Sequence, residues 1–203
     1  MLKKNNSTGF TIIELVIVCG IIAILSTVVA LIFVNGRRLF TLQNYSVIAQ
    51  DQALKASLVM ERELREAQAP SGMGLPAIEA ATTQSIIFYA DVDDSSVQEE
   101  KIEYILSSGK LKRGIANYNS QTGSYNALPA IADMKTIADY IVNNNDPLFY
   151  YYADNYNGSQ QAMAYPLVLG SIRVIRLKLK IDPNPNQPPE PYNYETVIQL
   201  RNL

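Results

Sequence analysis

The fold of this chain is decided by Gly9-Phe10-Thr11-Ile12-Ile13-Glu14 and by the apolar run that follows it, from Leu15 to Val34. Between Phe10 and Val34, Glu14 carries the only charged side chain. A helix over these residues would be roughly 37 Å long at about 1.5 Å per residue, which is enough to cross a hydrocarbon layer of about 30 Å with some tilt. The stretch therefore predicts a membrane-spanning helix.

The residues ahead of this stretch form a short basic segment with Lys3 and Lys4 as its charges, which favours a cytoplasmic N-terminus. Arg37 and Arg38 flank the other end of the apolar run, so charge alone gives only a weak preference for one orientation. A secretory signal peptide also begins with basic residues, but its small-residue cleavage site follows the apolar segment. Here the small residue Gly9 precedes that segment.

These residues resemble the prepilin signature of type IV pilins and type II secretion pseudopilins. The shared features are a short basic leader ending in Gly9, then Phe10 and Thr11, and then Glu14 as the fifth residue after the cut. The resemblance implies that a prepilin peptidase cleaves between Gly9 and Phe10 and that the new amino group of Phe10 is methylated. It also implies that other pilin or pseudopilin subunits and an inner-membrane assembly platform are partners.

The location implied by this resemblance is the cytoplasmic (inner) membrane. The chain is expected there as a single-pass protein with a cytoplasmic N-terminus and an extracytoplasmic head, and later in a pilus or pseudopilus filament.

Glu14 needs its own explanation, because an intramembrane carboxylate costs about 2.5 to 3.5 kcal/mol on insertion scales. One interpretation places it near the helix start, within reach of headgroup water and favoured by the helix dipole. The other pairs it with the new amino terminus of Phe10 on a neighbouring subunit, so that each charge neutralises a partner's. In the family, the second arrangement is the contact that recruits a subunit into the filament.

Composition excludes several kinds of site. The 203 residues suffice for one domain and a membrane helix, and the net charge of -2 gives no basic footprint for nucleic acid. There is no histidine, which excludes histidine-based triads and histidine zinc sites, and the lone Cys19 lies in the apolar run, which excludes an intramolecular disulfide. We expect no cofactor, no catalytic residue and no enzymatic activity.

The membrane helix is expected to continue into the head, because no proline occurs from Phe10 to Ala69. An apolar stripe recurs at steps of three and four residues, and a second set lies on the opposite side. The stripe is Leu42, Ala49, Ala53, Ala56, Met60, Leu64 and Ala67, and the second set is Val47, Leu54 and Leu58. Two apolar sides indicate contacts with both the head and neighbouring helices; alternatively, Leu54 and Leu58 edge one wide core face.

The charged run Glu61–Glu66 is typical of a solvated helix face, with expected pairs between Glu61 and Arg65 and between Arg62 and Glu66. The run and several later segments resemble PilW-like and J-type minor pseudopilins. The segments are Leu58–Ala67, Ile86–Asp91, Ile102–Leu106, Gly109–Arg113 and Leu200–Leu203. The missing proline in the apolar run, which many major pilins carry, also favours a minor subunit or a pseudopilin.

Period-two alternation after Gln84 predicts strands in the head, with a Ser108-Gly109 turn, a short helix over residues 131–142 and a strand over Leu148–Tyr152. Near the end, two alternating stretches predict a hairpin closed by a proline-rich loop over residues 182–191. The predicted fold class is α+β, with a long N-terminal helix packed on an antiparallel sheet. The expected division is leader 1–9, membrane and assembly helix 10–34, helix extension 35–69 and head 70–203.

Two further patterns have competing interpretations. Asp91, Asp93 and Asp94 cluster oxygens as calcium sites do, but the EF-hand spacing fails, so we favour a turn and retain the three aspartates only as weak metal candidates. The loops 117–126 and 143–165 are rich in tyrosine, which suits either a recognition surface or ordinary solvated loops. The tyrosines concerned are Tyr118, Tyr125, Tyr150, Tyr151, Tyr152 and Tyr156.

The function expected from these patterns is that of a minor pilin or pseudopilin, processed by prepilin peptidase, that initiates or caps a filament in secretion, DNA uptake or motility. The alternative is a single-span, membrane-anchored extracytoplasmic binding protein that does not polymerise.

Overall fold

The computed structural model describes residue 9 and residues 11–92, 98–185 and 187–203. They fall into two compact units, one ending at Asn44 and the other covering Tyr45–Leu203. The first unit consists of the first part of helix α1, which runs from Ile12 to Arg65. Its most apolar 18-residue window has a mean hydropathy of 3.0 and none of it is buried, so its length and composition suit a membrane span.

Within the second unit, helix α1 buries one side and exposes the other. The buried residues of the predicted stripe are Ala49, Ala53, Ala56, Met60 and Leu64, joined by Ala67 just beyond the helix. Val47, Leu54 and Leu58 are 61%, 52% and 59% exposed. The predicted stripe is confirmed as the buried side of the helix, and the second apolar set lies on the exposed side. Contact of the second set with neighbouring helices stays a prediction.

Ten strands lie among the described residues of the second unit. They are β1 (Ile78–Ala81), β2 (Ser85–Ala90), β3 (Glu100–Ser107), β4 (Lys110–Ala116), β5 (Tyr118–Asn119), β6 (Ser124–Tyr125), β7 (Lys135–Ala138), β8 (Phe149–Tyr152), β9 (Val174–Ile181) and β10 (Tyr192–Gln199). A short 3-10 helix covers Leu169–Ser171. All strand pairs are antiparallel, in the orders β1-β2-β3-β4-β7, β10-β9-β8 and β5-β6. The predicted α+β class is confirmed.

The two larger sheets meet where the sequence predicted one sheet. Ile141 forms an isolated antiparallel bridge with Ile181 at the end of β9, and the Val142 N–H donates to the Lys180 carbonyl at 2.9 Å. On the other side, the Ile141 N–H donates to the Gly109 carbonyl at 2.9 Å. The segment after β7 therefore hydrogen-bonds on both sides and connects the sheets at this edge.

Both predicted hairpins are present. Ser108 and Gly109 have φ values of 51° and 71°, the left-handed conformation that a two-residue turn of type I′ requires. Strands β9 and β10 pair in register from Ile181 with Tyr192 to Val174 with Gln199, and the proline-rich loop connects them. The alternating apolar residues of β9 point into the core: Ile175, Leu177, Leu179 and Ile181 are fully buried.

The prediction of a short helix over residues 131–142 is wrong. Lys135–Ala138 form strand β7, which pairs with β4, and Tyr140 has a φ of 63° that a helix does not tolerate. Met134, Ala138 and Ile141 are all buried, as the pattern required. A short apolar pattern does not by itself distinguish a helix from a strand, and here the free edge of β4 provides the backbone partners.

Candidate processing and assembly site

Gly9, the first residue of the predicted cleavage pair, lies just before helix α1, and Glu14 lies in the first turn of the helix. Gly9 is exposed and precedes the first helical residue, Ile12, and a Cβ added to Gly9 would meet nothing within 4 Å. Phe10 lies outside the described residues. Exposed chain outside a helix is the kind of backbone that proteases reach most readily. The surroundings of Gly9 are therefore compatible with peptidase access.

Thr11 and Glu14 cap the helix reciprocally. The Glu14 N–H donates to Thr11 Oγ1 at 3.3 Å, and the Thr11 N–H donates to Glu14 Oε2 at 3.4 Å. The Thr11 hydroxyl also contacts Glu14 Oε2 at 3.4 Å. This is a capping box, in which the N-cap residue and the third helical residue each satisfy a backbone donor that the helix leaves free.

The capping box adds a local role for Glu14 to the two interpretations from sequence. The carboxylate accepts from the Thr11 backbone and hydroxyl, and it lies at the positive end of the helix dipole. These bonds are long, and the side chain is exposed, so the carboxylate keeps free hydrogen-bonding capacity. The Thr-x-x-Glu spacing is readable from sequence, but the sequence analysis used Thr11 only as part of the leader signature and did not predict its capping role.

The weak metal candidates gain no support. Asp91 is exposed, and Asp93 and Asp94 lie outside the described residues. Among the residues that the structure does describe, no group of three or more His, Cys, Asp or Glu side chains is placed to hold a metal ion.

Two of the tyrosines that the sequence pattern assigned to loops lie in strand β8 and are buried. Tyr151 and Tyr152 are 1% and 2% exposed, so the recognition interpretation is wrong for these two. The Tyr125 ring packs on Tyr89 at 4.9 Å between centroids. Tyr156 packs on Tyr152 at 4.2 Å between centroids. These contacts bury ring surface within the second unit.

Sequence analysis also missed a buried ion pair. Glu63, which the pattern assigned to a solvated face, is 1% exposed. Arg113 on β4 donates to both of its oxygens, from Nε to Oε2 at 2.9 Å and from Nη2 to Oε1 at 2.7 Å. The hydroxyl of Tyr104 on β3 donates to Glu63 Oε2. The pair thus joins helix α1 to two strands.

The cluster shifts the pKa values of Arg113 and Tyr104. Burial lowers the pKa of Arg113, but the hydrogen bonds and charge of Glu63 outweigh burial and raise it above its ordinary value. Burial and the charge of Glu63 both raise the pKa of Tyr104. Arg113 therefore stays a cation, and Tyr104 stays neutral. Both groups can then donate to the Glu63 carboxylate, Arg113 through two N–H groups and Tyr104 through its hydroxyl.

One sequence signal pointed to Glu63. It follows the stripe residues Ala56 and Met60 by seven and three positions, so it lies beside the buried side of the helix. The predicted pair of Glu61 with Arg65 is present at 3.5 Å. Arg62 lies 3.7 Å from Glu63, and no ion pair between Arg62 and Glu66 occurs among the described residues.

Comparison with known families adds one match. Residues 4–30 match the family model described as the prokaryotic N-terminal methylation motif. The matched region contains Gly9, Phe10, the Thr11–Glu14 capping box and most of the apolar run. No curated protein matches the chain. The motif indicates a type IV pilin-like protein that is processed as a prepilin and assembles with other pilin subunits. The motif and the apolar helix together fit a protein that is first anchored in a membrane and then associated with a filament.

Proposed function

We propose that this chain is a minor pilin or pseudopilin that acts at the start or the tip of a filament, in secretion, DNA uptake or motility. The observation that carries the proposal is the methylation motif at residues 4–30, which includes Gly9, Phe10 and Glu14. Its role is mechanical rather than catalytic. The leader would end at Gly9, residues 10–34 would form the membrane and assembly helix, residues 35–69 would extend it, and residues 70–203 would form the extracytoplasmic head.

The exposed apolar side of helix α1 also supports assembly. Val47, Leu54 and Leu58 are each more than half exposed and lie opposite the buried stripe. A helix that served only its own head would need one apolar side. In a filament, these side chains would be covered by the helices of neighbouring subunits.

Leu54→Ser combined with Leu58→Ser tests this surface. We expect the thermal midpoint to shift by less than about 2 °C, because exposed substitutions usually cost within about 0.5 kcal/mol. The filament-associated fraction, measured by sedimentation and immunoblotting, should fall at least about tenfold, since each buried leucine contributes roughly 1.5–3 kcal/mol. Unchanged incorporation of the double variant would contradict the assigned surface.

Processing is tested on the protein purified from its native host. We expect mass spectrometry to find a chain that begins with N-methylated Phe10 and lacks residues 1–9. An intact Met1 would exclude the prepilin proposal and favour a membrane-anchored binding protein that does not polymerise. The Thr11–Glu14 capping box is the observation that favours this alternative, because it gives Glu14 a role without any neighbouring subunit.

A further inference from the structure

We propose that a notch on helix α1 binds the phosphate headgroup of an anionic phospholipid. The notch, called here the Gly36 notch, is lined by Ile32, Phe33, Gly36, Arg37, Phe40 and Thr41. The inference extends the membrane anchor of the proposed function by assigning the lipid class that the anchor prefers.

The shape of the notch follows from one missing side chain. A Cβ added to Gly36 would meet nothing within 4 Å, so a ligand can approach the helix backbone there. Phe33 precedes Gly36 by three residues and Phe40 follows it by four, which places all three on one face of the helix. The two rings are 66% and 72% exposed and form apolar walls on either side.

The charge of the notch is uncompensated. From Leu15 to Gln50 the charged residues are Arg37 and Arg38 alone. Both are exposed, and neither has an acidic partner in the part of the chain that the structure describes. A guanidinium group presents paired donors that match a phosphate group, and this makes an anion of that geometry the complementary ligand.

The depth of the notch favours a lipid over a protein anion. The apolar run from Leu15 to Val34 spans about 30 Å as a helix, the thickness of the hydrocarbon layer. Arg37 follows directly in the headgroup region, where lipid phosphates are concentrated. The phenylalanine walls then contact the glycerol and the upper acyl carbons, while Arg37, which lines the notch, contacts the phosphate. Arg38 lies outside the notch and adds positive charge at the same depth.

The test uses the full-length chain in nanodiscs of phosphatidylcholine and phosphatidylglycerol at a molar ratio of about 3:1. Native mass spectrometry measures which lipids stay bound after release of the protein. We expect the ratio of phosphatidylglycerol to phosphatidylcholine bound to the wild-type chain to exceed the ratio in the bilayer roughly 25-fold, because each of the two arginines near an anionic surface contributes about a factor of five. Arg37→Gln with Arg38→Gln should remove the preference, and Gly36→Leu should reduce it about threefold or more by filling the notch at constant charge.

A matched control removes two positive charges from the head instead. Lys135 and Arg201 are both exposed, and Lys135→Gln with Arg201→Gln should leave the lipid preference unchanged. Three results would overturn the inference. The wild-type chain could retain both lipids equally, the preference for phosphatidylglycerol could survive Arg37→Gln with Arg38→Gln, or the control variant could lose that preference. Cross-linking of Arg37 to a carboxylate of a neighbouring subunit without lipid selectivity would also overturn it.

The nanodisc experiment distinguishes failure of the membrane-anchor proposal from failure of the lipid-site proposal. A wild-type chain that does not enter nanodiscs would overturn the membrane anchor and the lipid site together. Entry without lipid preference would overturn the lipid site alone.

Discussion

Glu14→Ala is expected to leave membrane insertion and cleavage intact and to remove the chain from the filament. In the proposed assembly, the Glu14 carboxylate neutralises the amino terminus of Phe10 on a neighbouring subunit. Loss of one partner of a desolvated ion pair costs about 3–5 kcal/mol, which corresponds to a drop of roughly a hundredfold or more in incorporation. The measurement compares the processed chain in filament and membrane fractions of the native host.

Two further variants separate the charge of Glu14 from its capping role. Glu14→Gln keeps an acceptor for the Thr11 N–H but removes the charge, and we expect it to fail in assembly as Glu14→Ala does. Thr11→Val removes the hydroxyl that accepts from the Glu14 N–H, at a cost of about 1 kcal/mol, but keeps the charge. This variant should still assemble.

The opposite pattern would contradict the assembly role. If Glu14→Gln enters filaments as the wild type does while Thr11→Val is excluded, Glu14 acts as a helix cap and not as a charge partner between subunits.

Glu63→Ala is expected to destabilise the head by about 3–5 kcal/mol, because it leaves the Arg113 guanidinium, whose side chain is only 14% exposed, without its carboxylate. For a unit of this size, each kcal/mol lowers the melting temperature by about 2–4 °C, so a loss of roughly 10 °C is expected. Thermal unfolding of the full-length chain in detergent, followed by circular dichroism, provides the measurement. Glu66→Ala, a neighbouring exposed carboxylate, is the matched control and should shift the midpoint by about 2 °C at most.

A double variant tests whether the effect belongs to the ion pair. Glu63→Met with Arg113→Met removes both charges and fills the space with apolar atoms, so it should be less destabilised than either single variant. If the two losses simply add, the stability of this region does not depend on the coupling of Glu63 with Arg113.

Several features of the fold were open to prediction because their physical causes are local. The apolar run from Leu15 to Val34 and the Ser108-Gly109 turn depend only on neighbouring residues. The alternation of β9 also predicted its buried face correctly, since successive strand side chains point to opposite sides. The N-terminal methylation motif was recognisable because it is a short, contiguous signature.

The sequence by itself determined the membrane-length helix, the processing motif and the α+β class, because hydropathy, motif spacing and strand period are properties of contiguous residues. Only the tertiary structure decided that Glu63 is buried, because its partner Arg113 lies 50 residues away. It also decided that Lys135–Ala138 form a strand, because the free edge of β4 satisfies that backbone. Such pairings depend on which surfaces meet after folding, and the local pattern of residues does not contain that information.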